Sequence, residues 1–275
     1  MSANSNQATS EDARTRTIAF TALGVALLAL VVALIAVFGR GDAPTADPAT
    51  AVPTDTAEPA PVEPAPPVPA EPVAAPGNTL PTNGGVLIGA GGVPTMTANP
   101  DVPTVTIYSD FVCYWCKEFE QIHGASLVEQ AAAGEVNVEY VMVAILHTGP
   151  TGYSTRSAAA AYLVAEQAPE AFWSFVQTLM DNQPTTDAEI PDDATLAALA
   201  EQSGVPSDIA AQFSTGIHTD FVQVVTSVAA QYAANFPQVL PNGLATPFVL
   251  IDGQPLTVNW TEPGQFEAAL EAARG

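Results

Sequence analysis

The first regular pattern along the chain is an uninterrupted apolar run. Residues 18–38 (IAFTALGVALLALVVALIAVF) contain 21 positions without a charge. A helix needs about 20 such residues to cross the hydrocarbon core of a bilayer, so the run predicts a transmembrane segment. Residues 41–81 then show no apolar periodicity. They hold twelve prolines and six acids with no basic residue, a composition that favours an extended, self-repelling spacer. From residue 82 onward the pattern becomes that of a folded unit. Residues 104–109 (TVTIYS) alternate β-branched and polar side chains and predict a strand opened by Pro103. The spacing of Phe119, Ile122 and Leu127 predicts one helix over 113–133 with these three on its apolar face, stopped by Gly134. Residues 136–143 (VNVEYVMV) predict a second strand running on toward Leu146.

A long helical region comes next, over about 154–234, broken near Gln183-Pro184-Thr185 and Gly204-Val205-Pro206. Residues 248–251 predict a strand, Asp252-Gly253 a two-residue hairpin turn, and 256–258 its partner strand. Thr261 is expected to cap a last helix ending near Arg274. The order is β-α-β, a helical insert over about 150–240, then β-β-α, which predicts an α/β fold in the 194 residues from 82 to 275.

Charge sharpens the picture at both ends. Arg14 and Arg16 precede the apolar run and only Arg40 closely follows it. The bias of basic residues to the cytoplasmic side places the head, 1–17, in the cytoplasm and everything after residue 41 outside, as a single-pass cell-membrane protein. Residues 49–51 (ATA) have the letters of a cleavage site but stand more than ten residues beyond the run. A signal peptide has a shorter apolar region. The reading is a retained signal-anchor at 18–38, with cleavage as the alternative. Beyond residue 81 there are 21 acidic and three basic residues. Such a surface repels phosphate backbones, which excludes a nucleic-acid partner.

The two cysteines of the whole chain, Cys113 and Cys116, lie three positions apart at the junction of a predicted strand and helix. An extracellular disulfide scaffold would spread more of them. A zinc site needs four ligands, and spacing brings no pair of His123, His147 and His218 to these thiols. At a helix N-terminus, unpaired amides and the helix dipole favour a thiolate, with ionisation typically at about 3.5–7.5. Cys113 therefore reads as the nucleophile. Cys116, one turn further on, reads as the thiol that resolves a mixed disulfide.

At this point the chain resembles the DsbA-like branch of the thioredoxin superfamily. The matching pieces are Asp110-Phe111-Val112-Cys113-Tyr114-Trp115-Cys116, Ala171-Phe172-Trp173-Ser174-Phe175 through Asn182-Gln183-Pro184, and Ala245-Thr246-Pro247-Phe248 before Asp252-Gly253. The resemblance implies a thioredoxin-like fold with a helical insertion domain and a cis Pro247 beside the thiols. It leaves the backbone of Thr246 free to pair with an extended substrate. It also implies no metal and no cofactor beyond the Cys113–Cys116 disulfide, and regeneration by a membrane partner of the DsbB or VKOR type. Tyr114 and Trp115 fit an exposed apolar substrate surface. Asp110 either relays protons or caps its loop, and Lys117 either stabilises a thiolate or is solvated. The Tyr-Trp spacer departs from the proline or histidine common in DsbA-like oxidases. The leading expectation is a dithiol oxidase acting on reduced or unfolded exported proteins. The alternatives are a reductase or isomerase kept reduced by a membrane donor, and a non-catalytic chaperone or binding module with a structural disulfide.

Overall fold

The computed structural model describes residues 84–88, 93–185 and 189–275. The head at 1–17, the anchor at 18–38 and the linker at 41–81 lie outside them. Among the described residues, no helix is long and apolar enough to cross a membrane.

The strand pattern of TVTIYS is realised as β3 (Thr104–Ser109), and that of NVEYVM as β4 (Asn137–Met142). They pair in parallel at the centre of a six-stranded sheet of order β2-β1-β4-β3-β5-β6, where β1 is Gly85–Ile88, β2 Pro94–Thr95, β5 Phe248–Ile251 and β6 Gln254–Pro255. All other pairings are antiparallel. Both faces of the central strands are covered, so nearly every residue of β3 is buried rather than every second one. On one face Tyr108 stacks against Tyr232. On the other, Tyr140 meets the edge of Trp173 and donates a hydrogen bond to Ser109 Oγ at 3.0 Å.

The hairpin β1–β2 carries no clear signal in the sequence, because its strands are only four and two residues long. The predicted β4 stops at Met142, and Leu146 lies half exposed in the loop beyond it. Asp252 and Gly253 form the expected two-residue turn, both with positive φ. Such a turn pairs residues directly across it, so the partner strand begins at Gln254 rather than at 256. Asp252 Oδ1 also accepts the amide of Thr104 at 2.7 Å, tying the turn to the start of β3.

The helix expected over 113–133 is three pieces: α1 (Tyr114–Phe119), a π-helical turn (Glu120–Gly124) and α2 (Ala125–Ala132). A π turn takes one extra residue per turn and rotates the helix beyond it. That rotation puts Glu120 and His123 inside and leaves Ile122 49% exposed, which overturns its place on the apolar face. Phe119 and Leu127 are buried as expected. Gly134 comes just after the helix with φ +76°, as a helix stop requires.

The insert comprises α3 (Tyr153–Gln167), α4 (Phe172–Asp181), α5 (Asp193–Gln202), α6 (Ser207–Ala210) and α7 (Thr219–Ala233). Two breaks come where sequence places them. Others arise at Ala168-Pro169, since proline cannot continue a helix, and at Gly216 to His218. Helix α3 buries twelve of its residues, and its run Ala158 to Ala161 lets neighbours approach closely all round. The last helix, α8, spans Gln265–Arg274 and starts after Gly264, which has φ +80°. Thr261 does not cap it. Its amide and hydroxyl bond Asn259 Oδ1 instead, in the turn before the helix.

Candidate active site

Strand β3 ends in a tight passage to α1, and this passage carries the two thiols. Cys113 is the N-cap of α1. Its backbone is extended (φ −74°, ψ 114°), and its Sγ accepts the amide of Cys116 at 3.2 Å. Both cysteines are free thiols, and both are almost fully covered, Cys113 5% exposed and Cys116 1%. The Thr246–Pro247 peptide is cis, and the Thr246 carbonyl accepts from Cys113 Sγ at 3.3 Å. The structure thus brings together the four residues Cys113, Cys116, Thr246 and Pro247 from chain segments about 130 positions apart.

The two thiols are unequal. Hydrogen bonding from Cys116 brings Cys113 down to about 7 against the opposing effect of burial, with further help from Thr246 and the Cys116 amide. Burial pushes Cys116 well above the ordinary thiol range, and its hydrogen bond to Cys113 adds to this. The same contact between the two thiols thus lowers Cys113 and raises Cys116.

Asp110 is completely buried and accepts four hydrogen bonds. Oδ1 takes Val112 N–H at 3.0 Å and the Ser154 hydroxyl at 2.7 Å. Oδ2 takes the amides of Ile145 (2.8 Å) and Leu146 (3.1 Å). Of the two roles open in the sequence, the geometry matches loop capping. The carboxylate binds the loop after β4 and the start of α3 to the turn that presents Cys113. Lys117 points away from the thiols. Its Nζ donates to the carbonyl of Asp181 at 3.2 Å, satisfying the C-terminus of α4.

The loop before α3 folds closely over its own end at Gly152. A Cβ added to Gly152, just before α3, would lie 2.1 Å from the His147 carbonyl oxygen and 2.3 Å from that of Thr148. Gly152→Ala must therefore shift this loop and with it the amides held by Asp110. A loss of about 2–4 kcal/mol is expected, in the range of overpacking and broken buried hydrogen bonds. Urea unfolding measures it, and a loss under ~0.5 kcal/mol would contradict the packing described.

Around the thiols the surface is apolar and open. Tyr114 is 60% and Trp115 55% exposed, their rings 5.2 Å apart edge to face. Trp115 also meets the edge of Trp260 at 6.3 Å. On the other side Val112, Tyr114, Lys117, His147, Gln183, Pro184 and Thr185 line a cavity of about 480 Å³. Gln183 Nε2 donates to the Cys113 carbonyl at 3.0 Å. Trp260 does not stand out in the sequence, because it lies in an aperiodic stretch, and Gln183 enters there only within the matching piece Asn182-Gln183-Pro184, with no role at the thiols. Among the described residues no group of three or more His, Cys, Asp or Glu is placed to hold a metal ion. His123 uses both ring nitrogens elsewhere: Nε2 bonds the Trp260 carbonyl at 2.9 Å and Nδ1 lies 3.3 Å from Glu267. His218, which has no partner legible in sequence, bonds Glu166 at 2.9 Å.

The thioredoxin family profile matches residues 97–272. Among solved structures, oxidised DsbA of Mycobacterium tuberculosis is 30% identical, with 70% of this chain and 93% of that chain covered at a TM-score of 0.53. Reduced DsbG of the same organism, described as a disulfide bond oxidoreductase, is 32% identical, covering 70% and 88% at 0.54. MdbA of Corynebacterium diphtheriae, a thiol–disulfide oxidoreductase, shares the fold at 20% identity, covering 68% and 93% at 0.54. No curated protein sequence matches.

Proposed function

This chain is a thiol–disulfide oxidoreductase of the DsbA-like branch of the thioredoxin superfamily, and we propose that it works as a dithiol oxidase on reduced, unfolded exported proteins. The observation that supports this reading is the inequality of its thiols, which fits Cys113 as the sulfur that is attacked and later expelled. A substrate thiolate attacks Cys113 Sγ of the Cys113–Cys116 disulfide and forms a mixed disulfide, and Cys116 leaves. A second substrate thiolate then attacks the substrate sulfur of that bond and expels Cys113. A thiolate that ionises at about 7 leaves faster than an ordinary cysteine at about 8.5, so the disulfide passes preferentially to the substrate.

In this reading the substrate lies as an extended segment along the Thr246 backbone, in the manner of strand addition. Tyr114 and Trp115 offer it an apolar surface of low side-chain entropy cost. Reoxidation falls to a membrane quinone-coupled partner of the DsbB or VKOR type. The uncharged run at 18–38 and the proline-rich stretch at 41–81 support an anchored arrangement, with the N-terminus cytoplasmic and the domain at 82–275 outside, in the partner's membrane.

A second reading, reductase or isomerase, has its own support. An ionisation of about 7 for Cys113 is that of thioredoxin, whereas DsbA lies near ~3.5. Equilibration of the full-length protein in glutathione redox buffers separates the two. A potential nearer −120 than −270 mV, roughly the values of DsbA and thioredoxin, is expected of the oxidase. A value at or below about −270 mV would sink it in favour of the reductase.

A further inference from the structure

The folded domain has few cations, and acids neutralise two of them. Beyond residue 81 the chain sets 21 acidic residues against Lys117, Arg156 and Arg274. Arg156 bonds Asp193 at 2.7 Å and the Pro191 carbonyl at 2.7 Å. Arg274 lies 3.1 Å from Glu271 and 4.0 Å from Glu135. Lys117 differs. Its Nζ donates to a backbone carbonyl, that of Asp181, and among the described residues no carboxylate comes within ion-pair distance of it. An ammonium carries three N–H donors, so its whole charge and most of its hydrogen-bonding capacity stay available.

The place of that charge is specific. Lys117 directly follows Cys116 and shares the wall of the 480 Å³ cavity with Val112, Tyr114, Gln183 and Pro184, while His147 and Thr185 close the rim. Val112 and Tyr114 flank Cys113 in the chain, and Gln183 Nε2 holds the Cys113 carbonyl at 3.0 Å. The cavity therefore opens beside the sulfur that a substrate attacks. Among the described residues no carboxylate lines it. The nearby acids face other donors: Glu118 bonds the Tyr114 hydroxyl, and Glu189 accepts from the amide of Thr185 at 3.0 Å and from its hydroxyl.

A mixed disulfide brings the two cysteine Cα atoms to about 5.5–6 Å. The next Cα of the substrate lies only about 3.8 Å further on. A residue adjacent to the substrate cysteine is thus carried to the mouth of the cavity. Its apolar walls, Val112, Tyr114 and Pro184, displace water from a side chain that enters, which strengthens an ion pair formed there.

We propose that Lys117 gives the enzyme a preference for substrates with an aspartate or glutamate next to the reacting cysteine, the carboxylate entering this cavity and pairing with the ammonium. The proposal rests on the thiol–disulfide exchange above and names the substrate class of that site. Lys117 is a specificity residue, since it meets the neighbour of the reacting cysteine and no sulfur. The sign of the preference is diagnostic. With its large excess of acids, the domain as a whole repels an acidic peptide and attracts a basic one. That general field is screened over about 8 Å at physiological salt, whereas a partly buried pair is screened much less. A preference for acid can come only from the cavity.

The test mixes oxidised full-length protein with short cysteine peptides blocked at both ends. Glutamate stands directly before or directly after the cysteine, with glutamine at the same place as reference. In the step observed, the peptide thiolate forms a bond to Cys113 Sγ and the Cys113–Cys116 bond breaks, its electron pair going to Cys116. Rates are taken per peptide thiolate, because a neighbouring carboxylate also raises the ionisation of the peptide's own thiol. The glutamate peptide is expected to react roughly threefold to fivefold faster than its glutamine partner at one of the two positions. Lys117→Met should bring that ratio to one or below, and Lys117→Arg should keep it. Lys117→Glu should invert it and favour a lysine peptide over glutamine.

A purely structural Lys117, holding the end of α4 through Asp181, would change the rates of a variant with all peptides alike and leave the ratios as in wild type. Equal wild-type rates for glutamate and glutamine at both positions would overturn the preference, as would a ratio that survives Lys117→Met unchanged. A wild-type disulfide that none of the peptides opens would strike the exchange reading itself, and the preference with it.

Discussion

Asp110→Ala is expected to cost about 3–5 kcal/mol of folding stability, the range for removing one partner of a buried charged hydrogen-bond set. Asp110 is wholly inaccessible, and its two oxygens are the acceptors for three backbone amides and one hydroxyl. Alanine leaves the donors of Val112, Ile145, Leu146 and Ser154 facing one another with nothing to accept them. Asp110→Asn is no gentler. Whichever way the amide turns, its NH2 points at two of those donors. Urea unfolding should show a lower midpoint at an unchanged slope, and melting should fall by roughly 6–20 °C for a domain of this size. The competing role for Asp110, a proton relay to the thiols, makes the opposite forecast: Asp110→Asn would keep the midpoint and lose exchange rate. A stability loss below about 1 kcal/mol with a slowed exchange would favour that role over loop capping.

Cys116→Ser is expected to abolish turnover while preserving the first chemical step. Cys113 retains its position at the N-cap and attacks a disulfide-bearing substrate or glutathione disulfide to form a mixed disulfide. A serine hydroxyl cannot expel the partner from sulfur, so the adduct accumulates toward one equivalent. Intact-mass measurement reads it directly, and dithiothreitol should release it. Cys113→Ser should form no adduct, because Cys116 is 1% exposed and held as the thiol. Adduct formation by Cys113→Ser at a rate near that of the wild type would reverse the assignment of roles. Cys116→Ser keeps a side-chain donor beside Cys113, where the hydrogen bond from Cys116 contributes most to lowering it, so the first step should survive near neutral pH.

The strands at 104–109 and 136–143 and the hairpin turn at 252–253 are legible because each is a local signal: β-branched alternation, or Asp-Gly at two consecutive positive-φ positions. The site is legible for a different reason. Cys113-Tyr114-Trp115-Cys116 is contiguous, and Thr246-Pro247 carries its meaning through resemblance alone. Continuity is where the sequence misleads. The spacing of Phe119, Ile122 and Leu127 fits an uninterrupted helix, and nothing local announces a π turn at Glu120–Gly124. The turn is selected by packing, since it buries His123 against Phe119 and Phe266, with ring centroids at 5.1 and 4.4 Å.

Sequence by itself determined the chemistry available here: two thiols one turn apart at a strand-to-helix junction, on a sheet of alternating strands. Those are properties of neighbours in the chain, and near-neighbour spacing is what periodicity and propensity record. Tertiary structure alone decided how unequal the thiols are and what surrounds them. Thr246 reaches Cys113 across 133 positions, Asp110 holds amides 35 and 36 positions away, and Glu120 meets Gln177 across 57. The ionisation of a buried group depends on the density and polarity of everything packed around it, whatever its distance along the chain. No pattern in one dimension contains that.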